Sequence, residues 1–211
     1  MKKVYVFFIA TEFKTGKAIR LLTRNTYNHV AFSFDKNGSV LYSYARYRYH
    51  EPLLSGFGIE YTDRYQNTCD NVKIKVCEYC VSDAHYERIQ WKINHYSENQ
   101  DKTRYNFIDV VGYPFKFHLN IRYHHTCISF LLELLERRDV HTIGALERKL
   151  RANTIYEGTV GEFFSQVSSG EIDFYEKRRK SLICKETLKN VAYLAATFMC
   201  SIADGSIFFI E

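Results

Sequence analysis

Proline is nearly absent, two in 211 residues, and glycine contributes only ten. Collagen-like and linker-rich chains are built on those two residue types, so both are excluded. There is no internal repeat and no low-complexity tract. The main apolar stretches, residues 4–10 and 191–203, are too short to cross a bilayer. Neither sign of charge dominates: the formal net charge is +5, and the one dense basic run is Lys177-Arg178-Arg179-Lys180. A nucleic-acid binder concentrates its charge more than this, so the run reads as a solvated helix end or connector, and no nucleic-acid partner is expected.

What is present is the material of a folded domain. Apolar residues make up 46% and charged residues 25%, the ordinary globular balance. Aromatics reach 16%, enough bulk for a sizeable core. Met1-Lys2-Lys3 followed by an apolar run imitates a secretion signal, but Thr11-Glu12-Phe13-Lys14 follows where small residues would mark cleavage. A buried first strand is the better reading. With it come a cytoplasmic location, reduced thiols for the six cysteines and no transmembrane segment. Cys77-x-x-Cys80 resembles half a zinc site, yet it lies in an alternating strand pattern and no second pair follows. No metal and no cofactor are expected.

The periodicity predicts a strand over residues 3–11, a helix over 14–24 and a hairpin over 29–46 turning at Asp35-Lys36-Asn37-Gly38. Residues 47–70 read as a long irregular stretch, and long loops in compact domains are often functional. A strand over 71–81 and a helix from Ser82-Asp83 to about 98 follow, the latter with Tyr86, Ile89, Ile93 and Tyr96 as its stripe. Residues 126–138 predict a helix carrying Cys127, Phe130, Leu131, Leu134 and Leu135 on one face. Beyond residue 140 the pattern predicts short helices near 144–151 and 159–168, a charged connector, a helix over 185–203 and a β-like tail. The chain therefore divides into a main body, residues 1–140, and a helical extension, residues 141–211.

Two positions carry chemistry. Cys127 stands at a helix N-terminus, where unsatisfied N–H groups and the helix dipole favour thiolate over thiol. His29 heads a strand, from which an imidazole can take the thiol proton and return it to a leaving group. His124 and His125 compete for the base role but lie too near Cys127 in sequence to face it from another element; a loop or rim position suits them better.

The order His-hairpin first, helix-head Cys about a hundred residues later, resembles the circularly permuted NlpC/P60 papain-like superfamily, with the YiiX/YaeF-like amidases and the lecithin retinol acyltransferase group, and bacterial members most of all. The matching residues are His29-Val30-Ala31-Phe32-Ser33-Phe34-Asp35, Leu41-Tyr42-Ser43-Tyr44-Ala45-Arg46, Ser55-Gly56-Phe57 with Glu60, Tyr105-Asn106, and Cys127-Ile128-Ser129-Phe130-Leu131. Residues 3–140 are covered. The resemblance implies an α+β fold, papain-like and permuted, with an antiparallel sheet packed on helices. It implies a cysteine hydrolase of amidase or peptidase type, with Cys127 as nucleophile and His29 as base, acting through a thioester on a peptide, amide or ester. Relatives often carry Glu or His on the second hairpin strand to orient the base; that place falls here on Tyr42 or Ser43. Ser43 or Glu60 is therefore expected to orient His29. Tyr42, Arg46, Gly56, Phe57, Tyr105 and Asn106 are expected along the substrate cleft, with segment 47–62 as one wall. The Gln that follows the nucleophile in relatives is Ser129 here. A lipid acyltransferase or thioesterase of the same fold, and a non-catalytic interaction module, are the rival functions.

Overall fold

The computed structural model describes residues 1–13, 16–17, 20, 25–66, 71–112, 117–119, 121, 123–164, 174–203 and 207–209. The helix expected over 14–24 lies largely outside them, as does Cys69.

The architecture is mixed α+β, built on a six-stranded antiparallel sheet. Its strands are β1 (Lys2–Ile9), β2 (His29–Ser33), β3 (Leu41–Arg46), β4 (Ser55–Glu60), β5 (Lys73–Val81) and, from much later in the chain, β9 (Thr154–Thr159). The spatial order is β4-β3-β2-β1-β5-β9. Strand β1 lies near the centre and is covered on both faces, which is why it reads as a continuous apolar run rather than an alternation. Val4, Val6 and Phe8 point into the larger core, Phe7 and Ile9 into the smaller. Gly38 closes the β2–β3 hairpin at φ +65, a conformation glycine takes without strain.

The helices are α1 (Asp63–Gln66), α2 (Asp83–Glu98), α3 (Phe107–Gly112), α4 (Cys127–Leu134), α5 (Ile143–Leu150), α6 (Val160–Phe163) and α7 (Lys180–Ala203). Ser82 caps α2 by accepting the His85 N–H, and Ile89, Ile93 and Tyr96 bury its stripe in the larger core. Helix α4 buries Phe130, Leu131 and Leu134 in the same core, each contributing about 1.5–3 kcal/mol of transfer free energy. Short strands complete the fold: β6 (Arg104–Tyr105) runs parallel to β8 (His124–His125), and β7 (Phe117–Leu119) pairs with β10 (Ile207–Phe209).

Two expectations are corrected. Residues 47–70 are not irregular throughout, because β4 lies inside them. Residues 141–211 are not a purely helical extension, because β9 completes the main sheet, and Leu146 and Leu150 of α5 sit in the larger core. The reason is the same in both cases: β4 carries two glycines, and β9 is a half-exposed edge strand, so neither shows a clean hydrophobic period. Among the described residues, no helix is long and apolar enough to cross a membrane.

Candidate active site

Cys127 is the first residue of α4. Thr126 caps that helix, its Oγ accepting the Ser129 N–H at 3.1 Å while Ser129 Oγ accepts the Thr126 N–H at 2.8 Å. This reciprocal box takes up the Thr126 and Ser129 N–H groups and does not involve the Cys127 N–H. Ser129 is thus a helix-capping residue.

His29 opens β2 opposite Ile9. The preceding Asn28 is buried and clamps the incoming chain: its Oδ1 accepts the Thr11 N–H at 2.7 Å and its Nδ2 donates to Thr11 Oγ at 2.9 Å. The ring is thereby fixed at the head of the strand, near enough to the Cys127 side chain for each group to shift the other's proton affinity. Nε2 donates to Glu60, 3.0 Å from Oε1 and 3.2 Å from Oε2. With Nε2 so engaged, Nδ1 is the nitrogen left to face the sulfur.

Glu60 is the last residue of β4, opposite Leu41, and is 1% exposed. Ser43 lies two residues along β3 on the same face, and its hydroxyl donates to Glu60 rather than to the imidazole. The Tyr65 hydroxyl donates to the other carboxylate oxygen, and Arg64 Nη1 lies 3.5 Å from Oε1. Arg64 is itself buried, its guanidinium 4.1 Å from the Phe174 ring centroid. Ser43 is therefore a support of Glu60, and Glu60 is the group that meets His29. Arg64 and Tyr65 were not among the residues expected from sequence; an Arg and a Tyr in a short helix carry no signal of their own.

The electrostatics follow from this chain of contacts. Burial opposes the charge on each member. It is overcome at His29 by the Glu60 carboxylate and the Cys127 sulfur, which raise the imidazole to about 10. It is overcome at Glu60 by His29 and Arg64, which hold the carboxyl at about 2. Burial also pushes the Cys127 thiol up, but His29, the Val30 backbone N–H and the Tyr105 hydroxyl bring it below the usual thiol value. Each group favours charge on the other: the imidazolium draws the thiol down and the sulfur draws the imidazole up.

Tyr105 differs from the expected cleft residue. Its hydroxyl lies beside Cys127, near enough for the sulfur to shift its proton affinity. Burial and the neighbouring thiolate raise its pKa well above the ordinary tyrosine value. Parallel pairing of β6 with β8, Tyr105 beside His125, carries it there.

The other residues expected along the cleft have the following neighbours. Phe57 is 1% exposed and stacks in the core with Tyr44, Tyr96 and Phe130. Tyr42 packs its ring against Phe34 and Phe57. Gly56 is a glycine because a Cβ there would lie 2.2 Å from Tyr47 Oη and 2.8 Å from the Thr103 carbonyl oxygen. Asn106 is buried and accepts the Asp109 N–H at the start of α3. Arg46 lies over Phe13 and donates to the Tyr49 carbonyl. His124 is buried and stacks on Tyr193, which corrects its expected rim position. His125 hydrogen-bonds Tyr96 and lines a cleft of about 410 Å³ together with Trp91, His95, Tyr123 and Glu133.

Cys77 is buried and Cys80 exposed. Among the described residues, no group of three or more His, Cys, Asp or Glu is arranged to hold a metal ion. No family model, curated protein or solved structure matches the chain.

Proposed function

We propose that the protein is a cysteine hydrolase of amidase or peptidase type, on a permuted papain-like fold. The observation that supports this reading is the buried His29–Glu60 pair, 3.0 Å apart, with the Cys127 sulfur near enough to His29 to shift its proton affinity. A nucleophile, a base and a charged orienter in that order are the working parts of acyl transfer.

The Cys127 thiolate adds to the carbonyl carbon of a peptide, amide or ester. Negative charge develops on the carbonyl oxygen, near the two donors next to the sulfur, the Cys127 N–H and the Tyr105 hydroxyl. His29, held as imidazolium by Glu60, gives its proton to the departing amine or alcohol as the carbon–heteroatom bond breaks. The product is a Cys127 thioester. A water molecule then attacks the thioester; neutral His29 takes its proton, the acid is released, and the thiolate–imidazolium pair is restored. Ser43, Tyr65 and Arg64 act through Glu60 and are positioning residues.

The test is a panel of activated acyl esters, aryl amides and short peptides, with intact-mass detection of an acyl adduct. The wild type should form an adduct on Cys127 and release acid. Cys127→Ala should form none, and His29→Ala should slow adduct formation by about 10²-fold or more. A wild type that forms no adduct across the panel, with Cys127 no more reactive to thiol probes than in His29→Ala, would remove the catalytic reading. Retention of a long acyl chain on Cys127, passed on to an acceptor other than water, would favour acyl transfer over hydrolysis.

A further inference from the structure

Helix α7 (Lys180–Ala203) touches the body along one side only. Asn190 is buried there and donates to the Leu53 carbonyl at 2.7 Å. Glu186, one turn earlier, pairs with Arg178, which also pairs with the buried Glu51. Tyr193, nearly one turn later, stacks on His124 with centroids 5.6 Å apart. Half a turn round the helix from Asn190 lies a second stripe: Leu188, Val191, Ala192, Ala195 and Met199. Their spacing of i, i+3, i+4, i+7 and i+11 puts them on one face. That face points away from the body, with Leu188 64%, Val191 48% and Met199 65% exposed. It runs roughly 17 Å along the helix.

The charge around the stripe is one-sided. The helix itself, residues 180–203, holds three cations (Lys180, Lys185 and Lys189) and one carboxylate, Glu186, which is taken up by Arg178. Lys185 and Lys189 border the outward stripe, while Glu186 is turned to the body side. A second copy of the helix would bring lysines to a seam that holds no outward carboxylate to pair with them. A surface that is apolar at depth and anionic at its head accommodates both features: the apolar side chains sink below the headgroup level and the lysines meet the headgroups.

We propose that the outward face of α7 docks the protein on the surface of an anionic lipid bilayer, the helix lying in the interface plane. The stripe is too short and too flanked by charge to span the bilayer. The docking is independent of the proposed chemistry at Cys127, which lies on another helix.

Flotation of the full chain with phosphatidylcholine vesicles, and with vesicles containing added phosphatidylglycerol, tests this. The protein should rise with the anionic vesicles, remain behind with neutral ones, and be released by high salt as screening weakens the lysine contribution. Lys185→Gln and Lys189→Gln should each lower the partition about fivefold. The double variant Leu188→Glu, Met199→Glu should abolish flotation while leaving the thermal midpoint unchanged, since both side chains face outward. Cys127→Ala should float as the wild type does. Equal recovery with neutral and anionic vesicles, failure of the wild type to float, or a self-associated species in sedimentation that the double variant dissolves would each overturn the proposal.

Discussion

Replacing Glu60 by glutamine keeps the side-chain shape and removes one charge from the buried cluster. His29 stands at about 10 against an ordinary 6.5, reached although burial acts the other way; the Glu60 carboxylate is the largest of the contributions that raise it. A carboxylate in contact with an ionisable partner moves that partner by about 1–3 pH units. Glu60→Gln should therefore bring His29 down by about that much. The thiolate then loses the imidazolium that holds Cys127 below its ordinary 9, so thiolate formation moves to higher pH. The assay is the rate of Cys127 alkylation by iodoacetamide across pH, read by peptide mass mapping, which needs no substrate. The wild type should stay reactive below the ordinary thiol range, and the onset in Glu60→Gln should rise by about 1–3 pH units. The variant leaves Arg64 beside a neutral amide, so its fold is checked by circular dichroism. Ser43→Ala and Tyr65→Phe keep the Glu60 charge and should move the onset by only a few tenths of a unit, on the order of one neutral hydrogen bond. Superimposable onsets in wild type and Glu60→Gln would refute the argument, because the imidazolium would then owe nothing to Glu60.

Tyr105→Phe removes one of the two donors beside the sulfur; kcat should fall about 10²-fold with KM little changed, measured on whatever substrate the acyl panel identifies. Gly56→Ala forces a Cβ against Thr103, whose carbonyl cannot swing away, and should lower stability by about 1–3 kcal/mol in urea titration. The His29–Glu60 pair makes stability depend on pH at both ends. Glu60, held at about 2, contributes fully above its ordinary 4.5 and loses that contribution as pH falls toward 2. His29, held at about 10, contributes fully below its ordinary 6.5 and loses that contribution as pH rises toward 10. Thermal melts should place the contribution of this pair at its plateau between those ordinary values, and His29→Ala should flatten the alkaline decline.

The parts of the fold that were legible in the sequence are those in which one face is buried and the other is not, or both are. The β2–β3 hairpin is marked by its alternation and by Asp35 to Gly38; α2 and α4 are marked by their caps and stripes. Strand β4 was hidden because Gly56 and Gly58 remove the side chains that would have shown a period, and Gly56 is there for the sake of Thr103 and Tyr47, contacts no local pattern records. Strand β9 was hidden because an edge strand with no fully buried side chain has no period to show. The site was legible to a different depth. Cys127 and His29 announce themselves by residue type and place. Glu60 was reachable as a carboxylate near the end of the segment that follows the His hairpin. That Ser43 serves Glu60 and not His29 follows only from the β3–β4 register, which sets Ser43 opposite Gly58. The approach of Tyr105 to Cys127 depends on a parallel two-strand pairing across twenty residues, and parallel pairing leaves no turn signature in the sequence.

The arrangement also bears on the plainer alternative, in which Cys127 and His29 are ordinary core residues of a binding module. A thiol, an imidazolium, a carboxylate and a guanidinium follow one another, with Cys127, His29, Glu60 and Arg64 all buried. Each of these charges is costly to take out of water, and a buried ion pair generally stabilises a fold no better than apolar side chains of the same volume. A core selected for packing alone would fill this space as the neighbouring face of the sheet is filled, with Phe, Leu and Val. What the chain of charges does achieve is to move proton affinities: it lowers that of a thiol and raises that of an imidazole, at the head of a helix, with the Cys127 N–H and the Tyr105 hydroxyl beside the sulfur. Perturbation of that kind, in that place, is what the proposed acyl-transfer chemistry requires and what packing does not.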